Sequence, residues 1–198
     1  MAAAVVRNLN KLIADVAQKC VAHGITLSLQ HVENVDQENL PCSGYFDEQS
    51  LVVATKKKRT QDWVDVLVHE SCHLDQFTEK SKLWVSDNNS LFVVEAWIKG
   101  KKMTLAKRDK GFNNTLLLEL DCEKRSIKKF KKYQLTIDIE EYAQKANSYL
   151  FAYMVALHEK RWYSSPYENS KIWKKMPKKL LTLKDYINDY WKYKHLYK

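Results

Sequence analysis

Two histidines four residues apart flank a glutamate in the segment His69-Glu70-Ser71-Cys72-His73. On an α-helix, positions i and i+4 share one face, about one turn apart, so both imidazoles can aim a nitrogen at the same ion. Glu70 projects about 100° further round such a helix, beside the ion rather than on it. The chemistry this spacing suits is metal-assisted hydrolysis. Zinc lowers the pKa of a bound water toward about 7, and a neighbouring carboxylate acts as general base on that water and returns the proton to the departing amine. A pattern with three fixed letters is short, and two histidines packed at a core or surface position are the competing explanation. The surroundings favour the metal: Val66-Leu67-Val68 precedes the motif and Leu74 follows it. Two histidines and a glutamate buried in such a helix without partners would be costly.

The segment Val66–His73 resembles the active-site helix of the zincin metallopeptidases. Further along, Glu119-Leu120-Asp121-Cys122-Glu123 has the form of the third-ligand helix in the gluzincin branch. The resemblance covers roughly residues 61–80 and 115–126. It implies a Zn2+ cofactor held by His69, His73 and Glu119, with Glu123 one turn on as an orienting group or alternative ligand. Glu123 stands where an aspartate is more usual, and Cys122 where such peptidases often carry alanine. Asp121 and Glu95 remain further alternatives for the third position. The metzincin continuation His-x-x-Gly-x-x-His does not follow His73.

A peptidase must also stabilise the oxyanion of its tetrahedral intermediate. Tyr142, Tyr149, Tyr153 and His158 fall on the next helical stretch, with Tyr149 and Tyr153 on one face; Tyr153 and His158 are the catalytic candidates, and aromatic core packing is the alternative. Zincins usually lay an extended peptide along a sheet edge. Gly44-Tyr45-Phe46 or Leu51–Ala54 is the expected edge.

The elements that must position these groups follow from the apolar pattern. Residues 4–22 place Val5, Leu9, Leu12, Ile13, Val16 and Val21 at helical spacing, and His23-Gly24 stops the helix. Residues 25–31 alternate as a half-buried strand, 32–43 form a polar loop containing Pro41, and 44–46 with 51–54 form a strand pair. Helices are expected over about 61–80, 89–99, 114–132, 138–162 and 182–193. The fold class is therefore α+β: a predominantly helical, zincin-like metallopeptidase domain over residues 1–163 with a small mixed β-sheet. Residues 164–198 form a basic, aromatic-rich helical C-terminal extension packed on it.

At 198 residues the chain can bury a real core without disulfide staples. Four widely spaced cysteines, Cys20, Cys42, Cys72 and Cys122, contain no C-x-x-C pair, which suits reduced thiols in a cytoplasmic setting. Cys72 and Cys122 lie beside the expected ligands. No export signal and no apolar run approaching the roughly 18 residues of a membrane span are evident.

The net charge of +9 is uneven: residues 1–100 carry 10 Lys/Arg against 13 Asp/Glu, and residues 101–198 carry 23 against 11. Lys56-Lys57-Lys58-Arg59 is a local basic cluster. In the second half, Lys128, Lys129, Lys131, Lys132, Lys171, Lys174, Lys175, Lys178 and Lys179 are interleaved with Trp and Tyr. Such a combination suits backbone phosphates and stacked bases, or simply a solvated helical surface. Expected partners are a peptide or protein substrate and, through the basic half, nucleic acid. A nucleic-acid-associated or regulatory binding protein, with the metal structural or vestigial, is the alternative to the peptidase.

Overall fold

The computed structural model describes residues 2–37, 40–57, 59–87, 90–163 and 165–198. Lys58 of the basic cluster, Asn89 at an expected helix start, Ser164 at the expected domain boundary and the side chain of Val5 lie outside the described residues. The chain is predominantly helical with a small sheet, an α+β arrangement, and divides into two compact units. One comprises Met1–Ser81 with Lys124–Ile137, the other Lys82–Glu123 with Asp138–Lys198.

In the first unit, α1 (Ala2–Ala22) buries Leu12, Val16 and Cys20 at helical spacing. It ends as the sequence predicts. Gly24 adopts φ 70°, and the Ile25 amide reaches back to the Cys20 carbonyl at 2.9 Å, closing the helix. Strand β1 (Thr26–Gln30) then pairs in parallel with β5 (Ser50–Ala54), and β4 (Gly44–Phe46) pairs antiparallel with β5, giving the order β1-β5-β4. The sheet is mixed, as expected. Leu51, Val52, Val53 and Ala54 are all buried, so the uninterrupted apolar run belongs to a strand covered on both faces. The turn into β5 is held by Asp47, whose Oδ1 accepts from the Gln49 and Ser50 amides at 3.1 and 2.7 Å.

Two expectations change here. Residues 32–43 are not simply a loop. They contain β2 (Val35–Gln37) and β3 (Leu40–Cys42), an antiparallel pair in which Asp36 faces Pro41. Strands this short, one carrying a proline that cannot donate to a ladder, leave no alternating pattern to read. The second change concerns the sheet edge. Leu51–Ala54 is the central strand, which leaves β4 as the edge among the two candidates.

Helix α2 (Thr60–Thr78) packs on β4 and β5. A Cβ on Gly44 would stand 2.6 Å from Val66 Cγ1, so glycine is what lets β4 lie this close to the helix. The unit is completed by the last turns of α5 (Leu105–Lys132), a 28-residue helix within which the division between units falls. Lys129 Nζ bonds Asp75 at 2.8 Å and the carbonyl and hydroxyl of Ser71 at 2.9 and 2.7 Å; Lys19 of α1 bonds the same Asp75 at 2.7 Å.

In the second unit, α3 (Lys82–Asp87) and α4 (Ser90–Ile98) precede α5, and α6 (Ile139–Glu159) follows it. Helix α5 begins nine residues before the expected 114, because Lys107-Arg108-Asp109-Lys110-Gly111 carries no apolar signal. Gly111 has a packing reason: a Cβ there would lie 2.5 Å from Val93 Cγ1 of α4. Helix α6 starts at Asp138, which accepts from the Glu140 and Glu141 amides at 3.0 Å each. A one-turn helix, α7 (Ser170–Trp173), and α8 (Leu183–Tyr193) follow; Thr182 and Asp185 form a reciprocal capping box at the start of α8. The core of this unit is aromatic: Phe151, Tyr186, Tyr190, Tyr193 and Tyr197 are buried together with Leu150 and Met154.

Candidate metal centre

Helix α2 buries polar side chains to a degree that simple amphipathicity does not explain. Asp65, Glu70, Ser71, His73 and Gln76 are all buried alongside Val64, Leu67, Val68, Cys72 and Leu74. A helix carrying both sets on its buried surface needs a use for the polar one.

His69 and His73 supply that use in their geometry. Their Nε2 atoms stand 3.1 Å apart, with the rings edge to face. Two nitrogens bound tetrahedrally to one ion at 2.0–2.1 Å are separated by about 3.3 Å, so the pair already has nearly the span of two ligands on one centre. His73 is oriented by Gln76: its Nδ1–H donates to Oε1 at 2.9 Å, which leaves Nε2 as the lone-pair nitrogen facing His69. Gln76 lies three residues further along the same helix and is buried. The sequence reading did not single it out, although a polar residue at i+3 from a candidate ligand, on an apolar helix, is a signal that could have found it.

Cys122 of the second unit is a buried free thiol on α5. Cys122 stands one turn before Ser126 on α5, and the Ser126 hydroxyl points to Cys72 Sγ of α2 at 3.5 Å. Two imidazoles on one helix face suit zinc and other transition metals alike.

Glu70 is buried on α2 between the two histidines in sequence. Its charge reaches Cys42 of β3, whose thiol is pushed above its ordinary range first by burial and then by Glu70.

The remaining expected site residues are placed on α4, α5 and α6. Glu119 is buried, and Tyr153 Oη donates to its Oε1 at 3.5 Å; Tyr153 also shares a hydrogen bond of 3.0 Å with the Tyr149 hydroxyl. Glu123, also buried, accepts a short hydrogen bond from the Tyr142 hydroxyl. His158 stacks on Tyr190 with centroids 4.1 Å apart, and burial followed by the Arg108 charge holds its pKa below the usual imidazole range. Glu95 pairs with Lys99 at 3.3 Å on a partly exposed turn of α4. The four cysteines are all free thiols, and among the described residues no helix is long and apolar enough to cross a membrane.

Comparison of the chain with protein-family models, with curated proteins and with solved structures gives no match.

Proposed function

We propose that this protein is a zinc-dependent peptidase of the gluzincin kind. The observation that carries the reading is the His69–His73 pair, with Nε2 atoms 3.1 Å apart and His73 oriented by Gln76, on a helix that also buries Glu70. His69 and His73 would hold the ion. Cys122 is one candidate to complete the protein ligands, while the resemblance to gluzincins favours Glu119 for that position.

A bound zinc ion supplies a water acidic enough to be deprotonated at neutral pH and polarises the scissile carbonyl. Glu70 takes the proton of the attacking water and passes it to the leaving amine. A purely structural site has no need of that carboxylate. Strand β4 offers its outer edge to an extended peptide, which would add to the sheet through main-chain hydrogen bonds. Tyr153 is a hydroxyl donor for the developing oxyanion.

Metal analysis tests the reading. The purified protein is expected to carry about one zinc per chain, and the double variant His69→Ala/His73→Ala to carry none. Metal content unchanged by that variant would overturn the metal assignment. Glu70→Gln is expected to keep the zinc and lose peptide cleavage; undiminished cleavage would overturn the catalytic one.

A further inference from the structure

The first unit carries a cationic face that the peptidase reading does not use. Between Lys124 and Ile137 the sequence has six cations and no acid. The structure sets part of this run against α1, around two concavities of about 250 and 350 Å3 that share Lys132. The first is lined by Asp75, Arg125, Lys128, Lys129 and Lys132. The second continues it past Arg7, Asn8 and Lys11 of α1.

Not all of these cations are available. Lys129 is committed to Asp75, and Arg125 bonds Glu79 at 2.7 Å. Asp75 is matched by Lys19 and Lys129 together, and Asp15 accepts from the Tyr133 hydroxyl at 2.8 Å. That leaves Arg7, Lys11, Lys128 and Lys132 exposed, and none of the four is ion-paired among the described residues. Cations in the last turn of α5 complement its dipole, but Arg7 and Lys11 lie in the first half of α1, where the dipole gives no reason for them.

The four side chains form two i,i+4 pairs, each spanning about 6 Å of helix. That is close to two steps of a duplex strand at about 3.4 Å per phosphate. We propose that this face binds the phosphate backbone of a nucleic acid without reading its bases. The floor offers no apolar anchor for a peptide and no stacking ring for a base. Tyr133 is buried with its hydroxyl engaged, and Asn8 is turned to the Gln134 carbonyl at 3.4 Å. A surface of point charges alone suits a polymer of regularly spaced anions, bound through counterion release. The inference is independent of the metal.

The test is fluorescence anisotropy of a labelled 20-base-pair DNA duplex against the full chain, over a KCl series. Binding is expected with log K falling against log salt at a slope of about −3.6, about −0.9 for each of four phosphates contacted. Lys128→Glu/Lys132→Glu is expected to weaken binding at least tenfold at low salt and to flatten the slope by about 2. The milder Lys128→Gln/Lys132→Gln acts in the same direction and guards against a folding defect. Lys171→Glu/Lys175→Glu, an equal charge change in the second unit, is expected to bind as the parent does, and zinc content to be the same in all. The proposal is overturned if the duplex does not bind, or if the two glutamate doubles lose binding equally. It is overturned too if polyglutamate, or vesicles of phosphatidylserine, compete more strongly than unlabelled DNA.

Discussion

Helices α2 and α6 both bury polar side chains along most of their length, and they satisfy them in opposite ways. On α6 the partners are largely backbone. Gln144 donates to the Met176 carbonyl at 2.9 Å, and Asn147 to the Pro177 and Lys179 carbonyls at 2.7 and 2.8 Å. Tyr186 donates to Asn147 Oδ1 at 2.6 Å, and Tyr197 to the Ser148 carbonyl at 2.6 Å. These bonds pin the chain between α7 and α8, which has few backbone partners of its own, and their logic is structural. On α2 the key partners are side chains of the helix itself: one ring nitrogen faces another, and a glutamine sets the tautomer. Elsewhere on α2, Ser71 and Asp75 hold Lys129 of α5 much as the α6 side chains hold their neighbouring loop. The facing imidazoles are the part of the α2 polar burial that has no counterpart on α6.

The largest effect that sharpens this contrast is expected at Glu70. Glu70→Gln should lower peptide turnover by about 10²–10⁴-fold with zinc content and thermal midpoint unchanged, as read by a fluorogenic peptide assay. At the rear of α2, Asp75→Asn should destabilise by on the order of 3 kcal/mol, because Lys19 and Lys129 lose their shared counter-charge. Burial works against the Asp75 charge, but the two lysines outweigh it and hold its pKa below the ordinary aspartate value. A depressed folded-state pKa means this stabilisation is present above the unfolded-state value and disappears as pH falls through the folded-state one. Urea midpoints of parent and variant should therefore converge in acid. Gln76→Leu should weaken zinc binding 10–100-fold in a chelator competition, whereas Asn147→Leu should leave it untouched and lower the melting temperature instead. The smallest change is Tyr186→Phe, which removes one buried hydrogen bond and should cost about 1 kcal/mol without any effect on metal.

For the third ligand a spectroscopic outcome separates the two candidates. Cobalt-substituted protein should show a thiolate-to-cobalt charge-transfer band that Cys122→Ser abolishes. Its absence in the parent would leave the carboxylate of Glu119 as the ligand.

Much of this was legible in the residues. Helices α1, α2, α6 and α8 announce themselves by apolar spacing and by punctuation such as Gly24, Asp138 and Thr182, all of which act within one turn. The candidate ligands His69 and His73 needed only the helical period. What was not legible depends on neighbours distant in sequence. Strands β2 and β3 are too short to show a period, and the early turns of α5 carry no apolar residue from Lys107 to Gly111. Cys72 and Cys122 could be read either as neighbours of the expected ligands or as small buried thiols, and both are buried. The basic face was legible only in part: the cation run of α5 stands out in the sequence, but Arg7 and Lys11, which adjoin it, are more than a hundred residues away.

The first unit draws its last turns of helix from residues 124–137, on the far side of a long stretch that belongs to the other unit. On the ribosome this imposes an order of events. When α2 has emerged, the second of the two lysines that neutralise Asp75 and the serine that meets Cys72 do not yet exist, and they follow only after some fifty further residues, several seconds later at about 5–20 residues per second. For that interval α2 has β4 and β5 against one face and Lys19 beside Asp75, while the face that meets Lys129 and Ser126 is uncovered. Nascent chains halted near residue 100 should therefore engage chaperones through α2 and fail to retain metal, while chains extended past residue 137 should do both less and more, respectively.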